Sequence, residues 1–550
     1  MSAGGSSSLR RDTRWWGWGD PAEPTELPGG AERLLVEHGI EVGPVSQRPS
    51  LDRVRLPAAS PIPEAVLEIA GAGNVSLTEE DRIRHSGGQS YLDLTDRRSE
   101  SLAFAPDAVI ALDDARRIVP LLEACAALGV AVIPFGGGTS VVGGVTPRDT
   151  GFERVVSLDL TGLRDCRIDP VSMTATLGAG LRGPEAEALL AAEGLTLGHF
   201  PQSFEYATVG GFAATRSAGQ ASSGYGRFDS LVSSIRIATP TGTMNTIETP
   251  HTAIGPSLLE LIVGSEGAFG VIPDVTVRAR RKPDVCRYEA WMVEDFEAGN
   301  QIVRRLAQER RLPAVARVSD QTETEVSLGT SVPGGVAGDL FRRYLKLRGR
   351  GEGALMIVGY EGSSIAVKRQ GAELRRSLRS GGAVALGTSA GDGWARGRFH
   401  GPYLREALLD RGLVVETFET AQQWSRHSDF YSSVRRAVTE RLAAEGMDGI
   451  VMCHLSHAYP DGASLYFTVI ASPGPAGGPA GWRAVKTTAA EAIRSGGGTL
   501  SHHHATGRDH APWLEDEVGR LGLATLRAVK EELDPAGIMN PGCLLPVEPA

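Results

Sequence analysis

Three consecutive glycines placed directly after an apolar strand constrain this chain more than any other feature. Residues 130–140 read VAVIPFGGGTS. Glycine lets a backbone come close to a ligand and leaves successive N–H groups open to anionic oxygens. Pro134, Phe135, Gly136, Gly137, Gly138, Thr139 and Ser140 therefore read as a phosphate cradle, ending a strand–helix–strand unit that begins near Asp107. The segment lacks the GK[ST] ending of a P-loop and the spacing of a Rossmann fingerprint, which disfavours a nucleoside triphosphate or NAD site. Taken alone, it also fits a tight turn with no ligand.

Two further glycine-bearing segments follow in order. Gln202, Ser203, Phe204, Glu205, Tyr206, Ala207 and Thr208 run into Val209-Gly210-Gly211, with Thr215, Arg216, Ser217 and Ala218 just beyond. Gly264, Ser265, Glu266, Gly267, Ala268, Phe269 and Gly270 then lead into Val271-Ile272. Strand-like runs at 155–158 and 174–177 and a helix over 184–193 give this region a mixed α/β texture that continues to about Arg281. Beyond Lys282 the elements lengthen. Helical spacing over 297–310 and 366–380, a glycine-rich stretch at 329–338, and the runs ALMIVGYEG and AVALG predict an antiparallel sheet with helices on one face. The first hundred residues, rich in Pro, Gly and Ser up to about Pro61, read as an arm anchored by Trp15, Trp16 and Trp18. One helix is expected near the C-terminus, over 514–533.

The bulk properties exclude several classes. A formal charge of -10 offers no basic field to a phosphodiester backbone, so no nucleic-acid partner is expected. Cys125, Cys166, Cys286, Cys453 and Cys543 lie far apart with no CxxC pair, which predicts reduced thiols in a cytoplasmic setting. No run of 18 apolar residues occurs, so any membrane contact is peripheral. The N-terminal segment lacks the apolar core of a signal peptide, and LLPVEPA is not a peroxisomal tripeptide address.

Polar chemistry concentrates late in the chain. Ser501-His502-His503-His504 is an internal histidine run. Read as a strand, it turns neighbouring side chains to opposite faces, so at most two of the three line one pocket. No carboxylate spacing accompanies it, so no metal is expected; a solvated turn is the alternative reading. Upstream, Cys453-His454-Leu455-Ser456-His457, the turn at Asp461-Gly462 and Leu465-Tyr466-Phe467-Thr468 predict a hairpin whose returning strand presents Tyr466. A phenol that titrates near pH 10 is a poor base at neutrality, so an acid/base role requires neighbouring cations, which the histidines and arginines are placed to supply. A core aromatic is the plainer reading of Tyr466.

In their order and spacing, IPFGGGTS, TVGGF with Thr215-Arg216, and GSEGAFGVI resemble the FAD domain of the vanillyl-alcohol oxidase class. The resemblance implies an α+β fold: a two-subdomain PCMH-type FAD-binding domain, an antiparallel-sheet substrate (cap) domain with helices, and a C-terminal helical segment. The expected boundaries are 1–100 for the arm, 101–281 for the FAD domain, 282–500 for the cap and 501–550 for a segment completing the active site. It also implies that the three glycine-bearing segments, Pro134–Ser140, Gln202–Thr208 with Thr215–Ala218, and Gly264–Gly270, hold FAD non-covalently.

A narrower resemblance covers nearly the whole chain. Trp16-Gly17-Trp18-Gly19, Arg317 in VARVSD, Arg405 in PYLREALLDRG, the ETFET at 416–420, GASLYF around Tyr466, and SHHH are similar to segments of alkyldihydroxyacetonephosphate synthases. This implies Tyr466 as acid/base, Arg405 on the substrate, and Arg317, His502, His503 and His504 in support of activity. The implied reaction exchanges the acyl chain of acyl-dihydroxyacetone phosphate for a long-chain fatty alcohol with no net redox change. A cytoplasmic homodimer with peripheral membrane contact is expected on the same ground. Two departures stand out: Ala505-Thr506-Gly507 replaces the family's Gly-Val-Gly, and His454 stands where arginine is common. The alternative is an FAD-linked oxidase or dehydrogenase of a 2-hydroxy acid or alcohol. Against it, HAYPDGASLY stands where metal-dependent members carry HxGDGNxH. A catalytically silent flavin-binding protein is the third reading.

Overall fold

The computed structural model describes residues 9–10, 12–148, 150–331 and 336–546. Its layers follow from strand alternation, because successive side chains of a strand point to opposite faces. In Gly462–Ala471, Leu465, Phe467 and Val469 are fully buried in a continuous apolar core, while Tyr466 and Thr468 face a large cavity. In Val315–Ser319, Val318 is in the core and Arg317 and Ser319 are on the cavity. Met356 and Val358 alternate in the same way with Leu355 and Ile357 in Ala354–Gly362, and Cys453 with His454 in Gly449–Leu455. Burying one such Leu, Val or Phe contributes about 1.5–3 kcal/mol, and a one-residue slip would turn Tyr466 into the core, so the register is strongly specified.

These strands belong to a seven-stranded sheet, in the order Val384–Gly387, Val285–Val293, Ala354–Gly362, Val315–Ser319, Gly449–Leu455, Gly462–Ala471, Val414–Gln423. Every neighbouring pair is antiparallel. Helices Phe296–Gln308, Ser364–Ser380, His427–Ala444 and Gly478–Ser495 cover the core face through Ile302, Leu374, Val434 and Val485. The other face roofs the cavity.

The first half of the chain forms two smaller sheets. One has four strands in the order Val75–Ser76, Ala108–Ala111, Arg154–Asp159, Val130–Phe135, the last three of them parallel. The other has five antiparallel strands in the order Cys166–Asp169, Thr174–Gly178, Asp274–Arg278, Val232–Thr239, Gly242–Asn245. The mixed first half and the antiparallel second half agree with the sequence expectation.

Before residue 100 the chain is only partly an arm. Trp15 and Trp16 pack with Val54, Ile83 and Leu102 in a small cluster of their own. Val66 and Ala70 join the core of the four-stranded sheet, and Val75–Ser76 pairs with Ala108–Ala111. The glycine-rich stretch at 329–338 is flanked by helices Gln321–Ser331 and Val336–Leu347, and residues 332–335 lie outside the described residues.

Near the C-terminus, Leu514–Leu533 is not one straight helix. Gly519 (φ 74°, ψ 161°) breaks it, taking a left-handed backbone that only glycine adopts freely. Leu514 and Leu523 then pack on the core of the five-stranded sheet, while Ile538 and Met539 return to that of the four-stranded one. Among the described residues, no helix is long and apolar enough to cross a membrane.

Candidate active site

A cavity of about 1220 Å³ runs between the two small sheets and the seven-stranded one. Its volume exceeds the roughly 300–1,000 Å³ of a site for one drug-sized molecule. At one end it is walled by Pro134, Phe135, Gly136, Gly137, Gly138, Thr139 and Ser140. This loop cannot carry larger residues: a Cβ on Gly137 would lie 2.1 Å from the carbonyl oxygen of Tyr206. The backbone N–H groups of Gly136 to Thr139 make no hydrogen bond to any described residue. These half-buried donors face the cavity and are open to an acceptor. A dianionic linker fits them, and the rest of the cavity has room for a dinucleotide and a second molecule.

The other glycine-bearing segments divide into wall and support. Gln202, Ser203, Ala207, Thr208, Thr215, Ser217, Ala218, Glu266, Gly267 and Gly270 reach the cavity; Phe204, Glu205, Tyr206, Arg216, Gly264, Ser265, Ala268 and Phe269 do not. Those off the wall brace it. Phe204 stacks on Phe399 (5.4 Å), Glu205 accepts the hydroxyl of Tyr403 (2.8 Å), and Tyr206 meets Trp18 edge-on at 4.7 Å. Arg216 is turned away to Glu260 and to the carbonyl oxygen of Val263, and Phe269 is core. Glu266 holds the late chain in place by accepting the N–H groups of Thr506 (2.8 Å) and Gly507 (2.7 Å). Burial nevertheless pushes its carboxyl up to about 7.

At the far end stand Tyr466, Arg317, Arg405, His503 and His504, all on the cavity wall, with His502 directly behind them. The histidines are not on a strand. Residues 502–504 form a bend, and their three N–H groups converge on Glu419, at 2.7, 3.0 and 2.9 Å. Ser501 donates its hydroxyl to the same carboxylate at 2.6 Å. Four donors on one fully buried carboxylate override any extended conformation here. Burial alone would raise Glu419, but its contact with the His503 imidazole holds it well below the usual carboxylate range. Burial pulls His502 and His504 down to about 3, so both rings are neutral. His457, His502 and His503 each bring a nitrogen within 4.8 Å of the others. Both ring nitrogens of His502 are engaged already, by His503 and Tyr459, so a cation there would have to displace those bonds.

Tyr466 stacks against His454 with centroids 4.8 Å apart and packs on His503 and His504 at 5.9 and 5.4 Å. The sequence argument expected these neighbours to draw its pKa down. Instead burial, with Glu416 and Glu419 nearby, pushes the phenol up to about 12. Behind His454 lies an ion-pair group. Glu323 bonds Arg317, and His454 Nδ1 lies 3.0 Å from Glu323 and 3.1 Å from Arg317. Burial works against ionisation of Glu323, yet His454 and Arg317 hold it at about 2.

Arg405 donates to the backbone and side-chain oxygens of Gln89, at 2.6 and 3.0 Å. Its Nε is buried with no partner among the described residues, leaving one donor open. Further along, the wall turns apolar through Val326, Phe341, Leu355, Ile357, Leu386 and Trp394.

Sequence reasoning gave no role to Glu419, Glu323, His457 or Tyr459. Glu419 had one signal, as one of two carboxylates, with Glu416, inside the otherwise strand-like VVETFET.

Comparison with known proteins agrees with this geometry. Residues 106–248 match the FAD binding domain family and residues 282–544 the family of FAD linked oxidases, C-terminal domain. The alkyldihydroxyacetonephosphate synthase of Trypanosoma brucei brucei is 30% identical over 98% of this chain and 93% of its own length. The chain belongs to the alkyldihydroxyacetonephosphate synthase family. The synthase of Dictyostelium discoideum is 27% identical over 98% of this chain and 94% of its own. A solved alkyldihydroxyacetonephosphate synthase superposes with a TM-score of 0.81 at 25% identity, covering 96% of this chain and 99% of that one. Like the family, this synthase is an FAD enzyme, and the open N–H groups of the Gly136–Thr139 loop fit that cofactor.

Proposed function

We propose that this chain exchanges the acyl chain of an acyl-dihydroxyacetone phosphate for a fatty alcohol, the step that creates the ether bond in ether lipid synthesis. The observation that carries the reading is one continuous cavity. It joins a loop of unpartnered N–H groups, a buried arginine with an open donor, a neutral buried phenol and a long apolar wall.

Each part has a task. The Gly136–Thr139 N–H groups take the pyrophosphate of FAD, with Thr208, Thr215 and Ser217 along the same wall. When bound, FAD supplies nucleophilic and electron-accepting chemistry at the carbon that loses the acyloxy group. FAD is held without a covalent bond, which release of intact flavin by acid tests.

Arg405, fixed by Gln89, directs its free Nε to the substrate phosphate, since a guanidinium donates strong charge-assisted bonds to phosphate oxygens. Tyr466 keeps its proton at neutral pH and offers it to the oxygen that leaves, then accepts it back from the one that enters. Arg317 and Glu323 hold His454 flat against the Tyr466 ring, which fixes the direction of its hydroxyl. Glu419 fixes His503 and His504 on the other side. The apolar wall takes the acyl or alkyl chain and keeps water out.

The test is to incubate the purified yellow protein with palmitoyl-dihydroxyacetone phosphate and hexadecanol. Fatty acid release matched by ether product supports the proposal. Absence of exchange, with bleaching of the flavin by a 2-hydroxy acid or an alcohol, would move the assignment to an oxidase or dehydrogenase.

A further inference from the structure

Exchange of an acyloxy for an alkoxy group liberates one proton per turnover. The bond from carbon to the acyl oxygen breaks with its electron pair leaving on the carboxylate, and the alcohol oxygen bonds to the same carbon. One proton must then leave the site, because a fatty acid is ionised at neutral pH. Tyr466 lends its proton to the leaving oxygen and regains one from the alcohol, so it ends the cycle protonated and the surplus proton is the one the released acid sheds.

A hydrogen-bonded row leads away from this space. His503 lines the cavity. Its Nδ1 lies 3.0 Å from Nδ1 of His502, and Nε2 of His502 lies 2.7 Å from the hydroxyl of Tyr459. Neither His502 nor Tyr459 is on the cavity wall; His502 is buried and Tyr459 is half-buried, so the row runs outward. Two facing Nδ1 atoms at that distance bond only if one carries a proton and the other is bare.

Two arrangements satisfy the row. In one, His503 Nδ1 donates to His502 and His502 Nε2 donates to the Tyr459 oxygen. In the other, the Tyr459 hydroxyl donates to His502 Nε2 and His502 Nδ1 donates to His503. A proton entering at His503 Nε2 and another leaving from the Tyr459 hydroxyl converts the first into the second. Each imidazole ring gains a proton on one nitrogen as it loses one from the other, and the phenol oxygen gains one as it gives one up, so no tyrosinate forms.

The surroundings hold this alignment. Glu419 accepts the N–H groups of His502 and His503, and Arg227 donates to the carbonyl oxygen of His502 at 2.9 Å. The Glu419 carboxylate also lies 3.3 Å from His503 Nδ1, where it stabilises positive charge in transit. Because His502 is neutral at rest, it hands protons on and does not trap them.

The geometry points to Tyr459 as the outlet of a proton path that starts at His503 and passes through His502, an inference that rests on the exchange reaction proposed above. Tyr459 touches no substrate and acts only through the two histidines.

The experiment uses the full-length FAD-loaded protein and two variants. Tyr459→Phe keeps the ring and removes only the hydroxyl; Tyr459→His keeps a group that can pass a proton. For Y459F the expected result is unchanged FAD content and unchanged KM for both substrates. Its kcat falls at least tenfold with a larger solvent deuterium isotope effect, and added imidazole or formate partly restores the rate. Y459H retains most of the turnover. The relay is overturned if Y459F turns over at the wild-type rate with the wild-type isotope effect. It is also overturned if the loss in Y459F is one of FAD content or KM that neither proton carriers nor the histidine variant restores. A wild-type protein that makes no ether removes the functional reading, and the relay with it.

Discussion

Replacing Glu419 by glutamine exchanges one oxygen for an NH2 group at the point where four donors meet. The Ser501 hydroxyl and the N–H groups of His503 and His504 bond Oε1, while the His502 N–H bonds Oε2. With the amide oxygen kept at the Oε1 position, three bonds survive without their charge, and the new NH2 faces the His502 N–H, donor against donor. A bond to a charged acceptor is worth about 1.5–3 kcal/mol, and roughly half of that when neutral. Loss of one bond and weakening of three sum to about 4–7 kcal/mol, at or above the range seen when a buried charge loses its match. The cost falls on the local opening of residues 501–504, so it is read by amide hydrogen exchange with mass spectrometry on peptides spanning the bend. At 1.4 kcal/mol per factor of ten, exchange there should accelerate at least a hundredfold, while the core strands Gly449–Leu455 and Gly462–Ala471 keep their protection. Acceleration of less than about fivefold would refute the claim that Glu419 sets the conformation of the histidine run.

Three other outcomes follow from the same structure. Tyr466→Phe removes the phenol that burial keeps protonated and should lower kcat by about 10²–10⁴ with FAD still bound; near-normal turnover in a flavin-loaded variant would take that role away. Gly137→Ala places a Cβ 2.1 Å from the carbonyl oxygen of Tyr206 and should yield protein stripped of FAD, visible as loss of the flavin absorbance; full flavin content would show that this loop is not the cradle. His199 packs edge-on against Phe212 and Phe228 (4.7 and 5.1 Å), and burial, with His503 adding, pulls it down to about 3. Its folded pKa lies below the 6.5 of an unfolded histidine, so the unfolded chain binds the extra proton and this residue costs stability as pH falls from about 6.5 towards 3. The unfolding midpoint of His199→Phe relative to wild type should therefore climb between pH 7.5 and 5.0, and a constant difference would contradict the sign.

How much of this was legible beforehand depended on whether the signal was local. The GGGTS loop was readable because its task needs only small residues at the end of a strand, and Tyr466 because alternation in Leu465-Tyr466-Phe467 fixes one face. The antiparallel second half and its helices were read from period and length in the same way. For the histidine run the strand alternative fails, because what bends it is Glu419, 83 positions from His502 and on another element, although only His503 and His504 line the cavity, within the two that alternation allows. The pKa of Tyr466 was misjudged for a related reason: sequence counts histidines as cations, whereas burial leaves His502 and His504 neutral. The break at Gly519 and the return of Ile538 and Met539 to the first sheet also depend on tertiary packing that no local pattern encodes.

The central claim is that an alkoxy group replaces an acyloxy group on one carbon without net redox change. Under anaerobic conditions, with hexadecanol carrying ¹⁸O in its hydroxyl, the ether product should hold the label, the released fatty acid should hold none, and the flavin should end oxidised. Label in the fatty acid, or a flavin left reduced after one turnover, would contradict it.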